Sequence, residues 1–189
     1  MQESLSELLI GKSIICSCEG VAEQTIINLL MDNERLCFNR NNLVDGDCTR
    51  IRSAVEIAKN FLTRAYSQDI AILRILDKEN DVFKIPKVYQ INRNIKILSV
   101  VTKPEIEILH IIAEGLLNDF QRAKRRNKNL RPSEFFQGHV TKNFPKSTKI
   151  KSGDYVENFY SDIEKLIKAI KTYHQQVSQN AYDLSDLLA

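Results

Sequence analysis

The chain has 189 residues, with 27 basic and 24 acidic side chains, a formal charge of +3 at neutral pH. With 43% apolar and 27% charged residues it can build one globular core, which excludes wholesale disorder. No apolar run approaches the roughly 20 residues needed to span a bilayer, and so small a net charge cannot by itself mark a nucleic-acid binder.

In chain order, residues 1–10 carry early acids and no basic leader, so they read as a short amphipathic helix rather than a secretory signal. Residues 12–18, Lys-Ser-Ile-Ile-Cys-Ser-Cys, are rich in β-branched side chains and predict a first strand ending in Glu19-Gly20. A helix over 21–33 follows from Val21, Ile26, Ile27, Leu29 and Leu30, and residues 35–39 predict a second short strand. The polar stretch 39–46 is a loop by composition. Asp47 then caps a long amphipathic helix carrying Ile51, Ala54, Val55, Ala58, Phe61, Leu62 and Ala65.

Residues 69–76 form the clearest strand, nearly all apolar as a strand covered on both faces should be. It runs into Asp77-Lys-Glu-Asn-Asp81. A further strand spans 95–101 and ends at Thr102-Lys-Pro104, after which helices are predicted over 105–123, 132–140 and 155–176. Strands separated by helices imply parallel crossovers. The expected fold is therefore α/β, a small mostly parallel sheet of about four strands flanked by helices. Residues 11–123 make the core, and residues 124–189 a basic loop and helical extension packed on it.

The four cysteines, Cys16, Cys18, Cys37 and Cys48, all lie in the first quarter. Cys16 and Cys18 share one face of a strand, but no CxxC or histidine spacing for zinc accompanies them. They read as buried reduced thiols, and the expected compartment is the reducing cytoplasm.

In an open parallel sheet, ligands bind beyond the carboxyl ends of the strands. Three predicted strands end there in acids: Glu19, then Asp77 and Glu79, then Glu105 and Glu107. Carboxylates gathered in one crevice repel each other unless a cation neutralises them. Mg²⁺ (or Mn²⁺) suits a few carboxylates plus substrate phosphates, and it can activate a nucleophile at a phosphodiester.

Ile14-Ile-Cys-Ser-Cys-Glu-Gly20 with Glu23, and about 60 residues later Ile72-Leu-Arg-Ile-Leu-Asp-Lys-Glu79, resemble the two acidic motifs of the TOPRIM domain. That domain is shared by topoisomerases, primases and several nucleases. Val101-Thr-Lys-Pro-Glu-Ile-Glu-Ile-Leu109 resembles the Pro-x-x-Glu helix start of RloB-like TOPRIM proteins, which are associated with phage defence. The resemblance covers about residues 11–115 and departs at Glu79, where the family has Asp. It implies a Mg²⁺-dependent nuclease in which Glu19 is metal ligand or general acid/base, Asp77 and Glu79 hold the ion, and Glu107 is an additional ligand. Glu105 is then incidental. Glu23, Asp81 and Lys103 are candidates for supporting positions, and an ATPase or other defence subunit becomes a conceivable partner.

Arg122, Lys124, Arg125, Arg126, Lys128 and Arg131 fall within ten residues, a cluster able to hold nucleic-acid phosphates. Phe135 and Phe136 beside it read as core. His110 reads as a packed core histidine, His139 as the one histidine worth testing, and His174 as surface. No Walker-type loop occurs, and no nucleophilic triad order is recognisable. A phospho-receiver domain is disfavoured because about 25 residues between Asp77 and Lys103 leave no room for its missing strand and helix. The alternative retained is a non-catalytic TOPRIM-like sensor or interaction subunit.

Overall fold

The computed structural model describes residues 3–78, 82–90, 94–143, 148–176 and 181–189. Three strands, β1 (Ser13–Cys18), β2 (Ile70–Leu76) and β3 (Ile95–Val101), form a parallel sheet in the order β1-β2-β3. The register pairs Cys16 with Leu73 and Leu73 with Leu98. Every residue of β2 is buried, Arg74 included, as befits a nearly all-apolar strand covered on both faces.

Alternation along the strands sorts side chains to two cores. Ile14, Cys16 and Cys18 of β1, Ala71, Leu73 and Ile75 of β2, and Leu98 and Val100 of β3 face the larger one. That core is closed by α2 (Val21–Asp32), α4 (Ile108–Ala113), α6 (Pro132–Asn143), α7 (Gly153–Phe159) and α8 (Ile163–His174). Ile15, Ile70 and Ile72 face a smaller core under α3 (Ala54–Phe61) and Ile85. Buried Arg74 lies on that face too, its guanidinium 4.1 Å from the centre of the Phe83 ring, where a cation meets the negative face of the π-system. The remaining helices are α1 (Leu5–Leu9), with a Ser4/Glu7 capping box, and α5 (Leu117–Arg126).

Five expectations are corrected. Residues 35–39 do not pair within the sheet; Leu36 makes only an isolated antiparallel bridge to Leu188. The place beside β1 is taken by residues 43–49, through parallel bridges Ile14–Leu43 and Ser17–Thr49. The helix expected from Asp47 starts at Ala54, where Ser53 accepts a hydrogen bond from the Glu56 amide. Upstream, the Ile51 carbonyl accepts the Ser17 hydroxyl at 2.7 Å and the Ile51 amide donates to Thr49 Oγ1 at 3.2 Å, which ties this segment to β1.

The helix expected over 105–123 divides into α4 and α5 at Gly115, whose φ of +69° is open to glycine at little cost. That over 155–176 divides at Tyr160, after which Asp162 caps α8 through the Glu164 amide. His174, expected at the surface, is only partly exposed, its Nδ1 2.8 Å from Asp183 Oδ2. His110 is fully buried, with Nδ1 2.8 Å from the Tyr160 hydroxyl, and Phe136 is 1% exposed. Among the described residues no helix is long and apolar enough to cross a membrane.

Candidate metal centre

All three strands run in one direction, so their carboxyl ends meet at one edge, and the chain turns there into acid-bearing segments. Glu19 follows β1 directly; its amide donates to the Ile75 carbonyl at 3.1 Å, which extends the ladder by one residue. Its Oε2 accepts the Asp77 backbone amide at 3.1 Å, binding the ends of β1 and β2 together through a side chain. Gly20 then opens α2. A Cβ on Gly20 would come within 2.8 Å of Glu23 Oε2, so glycine is what lets the Glu23 carboxylate fold back over the turn. Glu23 is 6% exposed.

The Thr102 amide donates to the Leu76 carbonyl at 2.9 Å, which sets the ends of β2 and β3 side by side. Beyond Thr102 the chain delivers Glu105 and Glu107 to the same edge. Glu105 Oε2 accepts the Ser133 amide at 3.0 Å, capping the start of α6. Glu107 is 2% exposed and lies 3.5 Å from Lys151 Nζ. Lys151 reaches it because α7 starts close against α2: at Gly153 a Cβ would lie 3.3 Å from Thr25 Oγ1.

The electrostatics follow from crowding. Asp77 is pushed up to about 7, first by burial and then by the charges of Glu23, Glu19, Glu107 and Glu105. Burial raises Glu23, reinforced by Glu107 and Glu19. Burial likewise raises Glu107, with Lys151 pulling against it. Arg52 offsets Glu19 from the solvent side at 3.4 Å. Two buried oxygens at this edge, Asp77 Oδ1 and Thr102 Oγ1, have no hydrogen-bond partner among the described residues.

An orphaned carboxylate oxygen among repelling acids, in a set made only of oxygen donors, fits a hard divalent cation. The fit requires side-chain adjustment. Among the described residues, groups of three potential ligand atoms within 4.8 Å of one another occur at Cys16/Cys18/Cys48 and His174/Asp183/Asp186, while the strand-end carboxylates form no such group.

The structure thus brings together Glu19, Asp77 and Glu107, adds Glu23 close by, and draws in Glu105, which the sequence reading set aside. Its contribution comes from a partner 28 residues downstream, a distance that local pattern does not carry. Glu79 and Asp81 lie outside the described residues. Lys103 is exposed, and its amide is held by the Tyr173 hydroxyl at 2.7 Å.

Of the basic cluster, Arg122, Arg125, Arg126, Lys128 and Arg131 are exposed. Arg122 is paired with Asp119 at 2.8 Å, and Lys124 Nζ donates to the Leu130 carbonyl at 2.7 Å, folding the loop after α5 back onto the helix. This segment leads into α6, whose Ser133 touches Glu105, so the basic run adjoins the acidic edge through one turn of chain. His139 lies apart, lining a cavity of about 630 Å³ with Phe136, Tyr155, Phe159 and Lys165.

No family model, curated protein or solved structure matches the chain.

Proposed function

We propose that the chain is a Mg²⁺-dependent nucleic-acid phosphodiesterase, a nuclease of TOPRIM type, with its centre at the strand-end carboxylates. The observation that carries this reading is the buried Oδ1 of Asp77, without a hydrogen-bond partner among the described residues, amid Glu19, Glu23 and Glu107 at the edge where a parallel sheet accepts ligands. Asp77, Glu19 and Glu107 would hold the ion, with Glu79 a further candidate from the sequence. When bound, such an ion neutralises phosphate charge and lowers the pKa of a coordinated water.

The chain's own groups supply the rest. Glu19, its Oε2 fixed by the Asp77 amide, is oriented to accept or return a proton. Arg52 and Lys151, both more than half exposed, can turn from their carboxylates to a phosphate. The basic segment 122–131 holds the backbone of a strand lying across the edge. A defence role and an ATPase partner follow only from the RloB-like resemblance of Val101–Leu109.

A second reading rests on those same cations. Arg52 on Glu19 and Lys151 on Glu107 already neutralise part of the cluster, as a metal-free interaction subunit would require. Cleavage of labelled DNAs and RNAs with Mg²⁺ or Mn²⁺ separates the two readings. The nuclease cuts at least one substrate and loses that activity in both Asp77→Asn and Glu19→Gln with folding intact. Absence of cleavage by the wild-type chain across all substrates favours the interaction subunit.

A further inference from the structure

The sulfurs of Cys16, Cys18 and Cys48 all lie within 4.8 Å of one another. All are free thiols, exposed by 1%, 0% and 6%. Cys16 and Cys18 point the same way because they alternate along β1. Cys48 arrives from the segment that runs beside β1. Its position is set by the backbone on both sides: the Cys18 amide donates to the Thr49 carbonyl and the Thr49 amide to the Cys16 carbonyl, each at 2.8 Å. The Gln24 side chain donates to the Cys48 carbonyl at 2.8 Å, and Asp47 Oδ1 accepts the Cys48 amide at 2.8 Å. Three thiols are therefore aimed at one point by a scaffold that is already hydrogen-bonded.

A metal bonded to sulfur at about 2.3 Å sets three trigonal sulfurs about 4.0 Å apart, which this spacing meets with small rotations. A set made only of sulfur selects soft ions and rejects Mg²⁺. Buried thiolates would be costly alone, and a bound cation removes that cost.

We propose that Cys16, Cys18 and Cys48 form a three-thiolate site for a soft d¹⁰ cation of the zinc(II)/copper(I) class, distinct from the carboxylate centre. Such an ion would tie residues 43–49 to the end of β1, where Cys18 immediately precedes Glu19.

The test uses the full reduced chain and cadmium(II), a spectroscopic stand-in for zinc. The expected result is one tightly held cadmium per chain with a sulfur-to-metal charge-transfer band. Its affinity should fall at least about 10–100-fold, the loss seen on removing even an outer partner of a metal ligand, in Cys48→Ser or Cys16→Ser. Cys37→Ser, outside the cluster, should bind as wild type does. Cadmium NMR of the wild-type chain needs no variant, and a shift in the sulfur-ligated range is expected. A cadmium signal in the oxygen-ligated range with none in the sulfur-ligated range, absence of the charge-transfer band, or equal affinity in Cys48→Ser would overturn the proposal.

Discussion

Asp77→Asn should make the metal-free protein more stable, and only above acidic pH. Asp77 ionises near 3.8 when exposed and near 7 in the fold. Its folded-state pKa is raised, so the associated stability is fully present below pH 3.8 and is lost as pH climbs through about 7. At 1.36 kcal/mol per unit the full shift corresponds to about 4 kcal/mol. Asp77 is partly open to water, and screening reduces that to about 1–2 kcal/mol.

Asparagine removes the charge and with it the cost. In a chain of this size about 1–2 kcal/mol is about 2–8 °C in melting temperature. Thermal melts in EDTA at pH 8 should place Asp77→Asn above wild type by that margin, with the gap closing towards pH 4. Excess Mg²⁺ at pH 8 should narrow or reverse the gap, because a ligand of the folded wild type stabilises it by mass action. A variant less stable than wild type at pH 8, or a gap indifferent to pH, would refute the reasoning.

Three further outcomes are expected. Gly20→Ala should leave stability within about 1 kcal/mol, since the clashing atom is the movable end of a side chain, yet displace Glu23 and lower Mg²⁺-dependent cleavage, read as activity at matched melting temperature. Replacing Arg125, Arg126 and Lys128 together with alanine should flatten the salt dependence of nucleic-acid binding, by about 0.9 in log–log slope for each lost duplex phosphate contact; an unchanged slope would remove the segment from the interface. Burial depresses His110 from 6.5 to about 3, so the stability tied to its neutral form is present above pH 6.5 and is lost as pH falls towards 3. His110→Gln should show a shallower loss of stability over that window in urea titrations, whatever its stability at pH 8.

Strands β1, β2 and β3 were legible because β-branched runs bounded by polar turns leave little choice of structure, and with them the strand-end positions of Glu19 and Asp77. What escaped is non-local. Cys48 falls at the start of the helix expected from Asp47, and only the pairing of Thr49 with β1 brings its sulfur to Cys16 and Cys18. Ile51 has helical spacing with Ala54 and Ala58, but its segment is tied to β1 through Ser17 and Thr49, and α3 starts only at Ala54 behind the Ser53 cap. Glu105 and Glu107 differ by two residues and looked like alternatives. The fold uses both, one capping α6 and one facing Lys151. Gly115 and Asp162 carried usable stop and start signals for the divided helices, but the apolar periodicity running through them masked those signals.

The most direct test of the strand-end centre is an electron paramagnetic resonance titration of Mn²⁺ into wild-type, Asp77→Asn and Glu107→Gln chains, counting bound ions per protein. The account predicts at least one bound Mn²⁺ in wild type, displaced by Mg²⁺ and much weakened in both variants. A wild-type chain that leaves all Mn²⁺ free, or variants that bind as it does, would contradict it.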